Sequence, residues 1–372
     1  QKLVEEGVVQ VLGLLARGAE AKTRRVCAVV LQSLASTKSC RQEMVSKGAV
    51  EVMYRLSSDS DANTLHYVAS AMMRLAMDPA NCSRIVNESG VSALCKICMR
   101  CCDVPRTTQP CAAAFQILSR QEETKVMMVT EQCIPAIVNL LRGSTDKNTQ
   151  QFCLLALCNL LTVEENHLAV LQQGGLMSII NQATNDQEGI REACALALFN
   201  LSCGEAARNP VVTAGAVPAI MSIAELDDVQ ARTRCAATLC NLASEPSNLF
   251  KIVEDGVIPT FIALLKTGVP DTVKHCCAAL CQLAQDSASC EKIVDLGAVP
   301  HIVAGVENGD ISTKQSCCSV LSALSFQSRC RENLCSMGAL TALISLAEMG
   351  DNDTSLRCAL AFANLSLEPT VQ

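Results

Sequence analysis

The 372-residue sequence contains no tryptophan, two tyrosines and seven phenylalanines. Single-stranded nucleic acid is held by bases stacked on aromatic rings along a basic groove. With aromatics at 2 % and a net charge of −7, both halves of such a surface are scarce, and a nucleic-acid partner is not expected. Histidine is as scarce: His66, His167, His275 and His301 are scattered, with no His-Glu-x-x-His and no second ligand at metal spacing. Phosphate-loop, dinucleotide-binding and nucleophile-elbow motifs are absent too. The reading is therefore a non-enzyme with no metal and no cofactor. No apolar run approaches the roughly 18 to 20 residues of a bilayer span, the longest being Cys153 to Leu161. No signal-peptide pattern opens the sequence, so a soluble protein is expected. The chain starts at Gln1, inside an apolar-periodic stretch, as a piece of something longer would.

What is abundant is small and apolar. Hydrophobic residues make up 49 % and charged ones 18 %, with 24 cysteines, a composition that suits close-packed helices. A Gly followed by apolar residues recurs at Gly7, Gly48, Gly90, Gly175, Gly215, Gly256, Gly297 and Gly338, and Cys133-Ile-Pro fills the vacant slot. The separations run from 40 to 43 residues, which gives nine units: 1–36, 37–78, 79–121, 122–162, 163–203, 204–244, 245–285, 286–326 and 327–368.

A second phrase keeps register about 26 residues after each Gly, with Leu always in its middle: Ser33-Leu, Arg74-Leu, Ile117-Leu, Asn159-Leu, Asn200-Leu, Asn241-Leu, Gln282-Leu, Ala323-Leu and Asn364-Leu. Six residues before its first position stand Cys27, Val68, Cys111, Cys153, Cys194, Cys235, Cys276, Cys317 and Cys358. So small a residue at so regular a place belongs in a core. Each unit reads as three helices. The first is short and ends near the Gly, which suits a left-handed closing residue. The second often carries Pro in its first turn, as at Pro135, Pro218, Pro259 and Pro300. The third is preceded by an acid (Asp61, Asp146, Asp186, Asp227, Asp271, Asp310, Asp353) that suits a helix N-terminus. Its apolar stripe of i, i+1, i+4, i+7 defines one buried face. In the third unit Pro105 and Pro110 stand where neighbours begin this helix, and Pro110 is expected to delay its start. The pattern stops at Glu368-Pro369, and neither end resembles a polar capping repeat, so further chain or a partner is expected to cover both.

Cysteines at one position of successive helices are spaced like the helices, about 8 to 10 Å, too far for a disulfide, which needs Cα atoms about 4.4 to 6.8 Å apart. They read as reduced thiols acting as small hydrophobes, in a reducing, cytoplasmic setting. Cys95, Cys98, Cys101 and Cys102 have zinc-like spacing but fall on the core stripe of a second helix, and core is the preferred reading.

The order Gly-Ala-Val-Pro, a helix ending near Leu-Leu, then a long helix closing Ala-Leu-x-Asn-Leu-Ser resembles the armadillo repeat, over the whole chain. The resemblance implies an all-α, right-handed α-solenoid of about nine three-helix repeats forming a single array, whose third helices line a long groove. It implies too that the Asn closing the third helix grips the backbone of an extended peptide, which carries over to Asn159, Asn200, Asn241 and Asn364, with Gln282 standing in. Nuclear import receptors of this fold add a Trp one turn earlier; here those positions are Leu155, Leu196, Ala237 and Leu360, so recognition of basic signals of that kind is not expected.

The first turns of the third helices carry cations, Arg24, Arg25, Arg191, Arg232, Arg234, Lys274, Lys314 and Arg357, with His66 and His275 alongside. Lining a groove rim, they would favour an acidic, extended segment; the alternative is that they pair with the acidic loops before each helix. The expected function is a non-enzymatic scaffold for protein or peptide segments. The resemblance also admits a structural part of a large cytoskeletal or ciliary axonemal assembly, and the substrate-recognition array of a larger enzyme such as a ubiquitin ligase.

Overall fold

A computed structural model describes residues 1–18, 20–102 and 104–368; Pro369 lies outside the described residues. They form 27 α-helices and no strand, the all-α solenoid class expected. The chain divides into two compact units, Gln1–Gln182 and Ala183–Gln372. The boundary falls inside the segment 163–203, between its second helix, Gly175–Gln182, and its third, Glu188–Cys203.

In the first unit the third helices are Ala21–Ser36, Ala62–Ala76, Pro105–Leu118 and Lys147–Leu160, each packed on the next. In the second they are Glu188–Cys203, Val229–Ala243, Pro270–Leu283, Ile311–Ser325 and Asn352–Leu365, again side by side. Second helices pack in a parallel row within each unit, and short first helices join one triplet to the next. A triplet has too little apolar surface of its own to bury, so stacking supplies the core. The cysteine column and Val68 lie in it, each at most 1 % exposed.

The third helices start where a short side chain can cap them. Asp61, Asp146 and Asp351 each accept both the backbone N–H and the hydroxyl of a Thr three residues on, at 2.6 to 3.1 Å, and Asp310 caps Thr313 in the same way through its N–H. Such caps contribute about 0.5–2 kcal/mol each. Asp228 and Asp351 do this rather than Asp227 and Asp353; Asp271 and Asp353 sit inside the first turn of their helices. The far ends are closed by the next first helix: the amides of Asn81, Asn166 and Asn248 donate to the carbonyls of Leu75, Leu160 and Leu242, six residues back.

Four expectations of register and helix start need correction. The left-handed residue before the second helix is Ser89, Gln132 and Gly174, one position earlier than Gly90, Cys133 and Gly175. Gly90 instead begins the second helix, where an added Cβ would lie 2.6 Å from the Ile85 carbonyl oxygen. Pro110 does not delay its helix either. Pro105 takes the first helical position behind an extended Val104, and Pro110 sits inside Pro105–Leu118. Proline has no N–H for the carbonyl four residues back, which is that of Arg106, and this oxygen accepts from Nδ1 of His66 on the neighbouring helix at 2.8 Å. A carbonyl only accepts, so Nδ1 carries the proton.

All 24 cysteines are free thiols. The column does bring sulfurs close where two cysteines are adjacent in sequence: Cys277 and Cys317 lie 3.7 Å apart and Cys318 and Cys358 3.5 Å apart. The second sulfur of each adjacent pair reaches the next helix, which a single column does not. Burial pushes the Cys235 thiol up to about 12, so it stays a neutral hydrophobe. Cys98 and Cys101 are buried, Cys95 is half-buried and Cys102 exposed.

Candidate functional site

No single helix among the described residues is long and apolar enough to cross a bilayer. The surface with chemistry to offer is the outward face of the third helices, where the Asn position closes each helix. Asn159, Asn200, Asn241 and Asn364 are half-buried there and Gln282 is exposed.

The asparagines are held by the triplet before them. Asn159 donates its amide to the Ser119 hydroxyl at 3.0 Å, Asn241 to Ser202 at 3.1 Å and Asn364 to Ser325 at 3.0 Å. Each Ser in turn donates to a carbonyl three residues back in its own helix. Ser119, Ser202 and Ser325 close the phrases Ile117-Leu-Ser, Asn200-Leu-Ser and Ala323-Leu-Ser, so the third residue of the repeated phrase was the signal for this staple. The staple uses the donor half of the amide. Oδ1 of Asn159, Asn241 and Asn364 accepts no hydrogen bond among the described residues and keeps its acceptor capacity.

The cations divide by helical angle. Arg234 and Arg357 stand seven residues before Asn241 and Asn364, about two turns at 3.6 residues per turn, and share their face. Arg191, Arg232 and Lys314 stand nine residues before their Asn positions, about two and a half turns, and point the opposite way. Arg232 accordingly lines a cleft of about 630 Å³ against the second helices Ala216–Ala224 and Val257–Leu265. Lys274 is eight residues before Gln282 and lies between the two directions.

Several of these cations already hold acids. Arg232 pairs with Asp227 at 3.1 Å, Lys274 with Asp271 at 2.6 Å and Arg357 with Asp353 at 2.8 Å. All three carboxylates are mostly exposed, so the pairs are weak and exchangeable. Among the described residues Arg234 donates only to the neutral Gln230, at 3.1 Å. His275, seven residues before Gln282, joins Arg234 and Arg357 on the Asn face; burial and then the Lys274 charge hold its pKa below the usual histidine value. Arg191 is half-buried and its Nε has no partner among the described residues.

Among the positions one turn before the Asn, Leu155 and Leu196 are half-buried, Ala237 is buried and Leu360 is exposed, a shallow apolar floor. No group of three or more His, Cys, Asp or Glu side chains among the described residues could hold a metal ion.

Residues 246–285 match the armadillo/beta-catenin-like repeat family. No curated protein sequence matches the chain. Among solved structures, an engineered protein is 24 % identical, with a TM-score of 0.74, covering 97 % of this chain and 89 % of that one. A designed armadillo repeat protein in complex with the peptide (KR)4 is 17 % identical, with a TM-score of 0.55, covering 62 % and 99 %. Computationally designed armadillo repeat proteins for modular peptide recognition give 18 % and 0.57 over 62 % and 99 %. At these identities the likeness concerns the fold. One stretch of the sequence thus matches an armadillo/beta-catenin-like repeat, and the helix triplets are similar in fold to the designed armadillo arrays.

Proposed function

We propose that residues 183–368 form a non-enzymatic scaffold that holds an extended polypeptide segment along the outward face of their third helices. One observation carries the reading: Asn241 and Asn364 each keep a carbonyl oxygen unused, with a guanidinium two turns away on the same face. An extended segment offers backbone N–H groups to those oxygens. The fold neighbours support this, since one is in complex with a peptide and others were designed for peptide recognition. That peptide, (KR)4, is basic; the face here carries Arg234, Arg357 and His275, and an acidic segment is the matching partner. The 24 free thiols favour a reducing, cytoplasmic setting.

The test is titration with a fluorescein-labelled peptide of alternating Glu and Ser. About twelve residues, at about 3.3 Å each, cross four helices spaced about 9 Å apart. Arg234→Glu is expected to weaken binding at least about tenfold, because a like charge replaces the attraction. Arg232→Glu, on the opposite side of the same helix, leaves the Kd unchanged. Equal binding by the wild type and Arg234→Glu sinks the acidic reading.

A further inference from the structure

Phe250 is 80 % exposed, the barest large apolar side chain among the described residues. It stands on the short helix Leu249–Glu254, at the edge of a cavity of about 740 Å³. Leu249 and Val253 form the near wall with it, and Gln282, Leu283 and Lys292 form the far wall. A volume of this size takes a bulky side chain with room for its neighbours.

The lysines around the mouth are taken up by neighbouring carboxylates. Lys251 bonds Glu254 at 3.0 Å and Asp255 at 2.9 Å. Asp286 accepts the N–H and the hydroxyl of Ser289, both at 2.9 Å, as the cap of the Ser287–Asp295 helix, and the Lys292 charge lies close enough to help keep it ionised. Three carboxylates, Glu254, Asp255 and Asp286, face two lysines, so no positive charge is left over to draw an acidic side chain in, and the wall of Leu249, Phe250 and Val253 suits an apolar one.

Gln282 joins this cavity to the Asn face, because it fills the Asn position of Pro270–Leu283 and also forms part of the far wall. A segment held at Asn241 and passing Gln282 therefore lies across the mouth. Side chains of an extended segment alternate in direction, and one of them meets the opening.

We propose that this cavity takes one aromatic or leucine side chain of the segment held along the third helices, which makes it a specificity pocket. The inference rests on the scaffold reading above. Its test uses two labelled Glu/Ser peptides of the kind described, one with Phe and one with Ala at the centre, titrated against the wild type, Phe250→Ser and Asn241→Ala. The wild type is expected to bind the Phe peptide about tenfold tighter than the Ala peptide, the scale of burying a large apolar side chain. Phe250→Ser erases that difference and leaves the Ala peptide unchanged; because the ring is exposed, the melting temperature stays put. Asn241→Ala weakens both peptides alike. Both peptides binding the wild type equally, or a difference that survives in Phe250→Ser, overturns the pocket and leaves the scaffold standing. No binding by either peptide overturns the scaffold, and the pocket with it.

Discussion

The two units share a core but differ in the face their third helices turn outward. At the Asn position residues 1–182 carry Ser33, Arg74, Ile117 and Asn159, and residues 183–368 carry Asn200, Asn241, Gln282, Ala323 and Asn364. Seven residues earlier the first unit has Val26, Tyr67, Pro110 and Phe152, whereas the second has Ala193, Arg234, His275, Ser316 and Arg357. The first face is largely apolar and the second is amide-rich and cationic, although the positions six residues before the Asn remain small and buried in both. Stacking fixes the inward positions and leaves most of the others free to differ, and only Asn159 of the first unit shares the stapled amide of Asn241 and Asn364.

The strongest way to probe this contrast is through the shared core. Leu75 and Leu242, equivalent and fully buried, should each cost about 2–5 kcal/mol on replacement by Ala, read from urea unfolding. Peptide binding should suffer only with Leu242→Ala. Loss of binding in a folded Leu75→Ala protein would show that the two stretches do not act separately.

A smaller effect is expected at the amides. Asn159→Ala and Asn241→Ala each remove one bond to a Ser, about 1 kcal/mol of stability, but only Asn241→Ala should weaken the Glu/Ser peptide. Equal weakening by both would erase the distinction.

The smallest effect is a pH dependence. His275 has a folded pKa below the usual value, so the fold favours its neutral form; that stability is present above pH about 6.5 and is lost as pH falls through the lowered pKa. A bound acidic segment favours the charged form instead. Affinity should therefore rise a few-fold, on the order of threefold, between pH 7 and pH 5, where Glu side chains remain ionised. His275→Gln should flatten the profile, and a rise that persists in that variant excludes His275 as its cause.

The triplets and their core were legible in the sequence because the phrase ending in Asn-Leu and the cysteine six residues before it repeat in fixed register. The errors arose where one residue type was taken as the only solution. Searching for Gly hid Ser89 and Gln132, whose left-handed backbone costs a side chain only about 1–2 kcal/mol. Choosing Asp227 and Asp353 as caps overlooked the spacing to the residue whose N–H must be met. At the site, the angle separating Arg232 from Arg234 could be counted from spacing, and the Ser that holds each Asn stood in the phrase itself. The pairing of Arg232, Lys274 and Arg357 with Asp227, Asp271 and Asp353 follows the alternative the sequence offered, whereas the Phe250 cavity could not be read off, since it depends on residues more than thirty positions apart meeting at one edge.

The sulfur column gives the molecule an internal set of reporters. A thiol at 0–1 % exposure meets an alkylating reagent only when the helices around it part. Cys27, Cys111, Cys153, Cys194, Cys235, Cys276, Cys317 and Cys358 mark successive triplets. Their labelling rates, resolved by mass spectrometry, would chart how easily each stretch of the stack breathes, with no probe added to the chain.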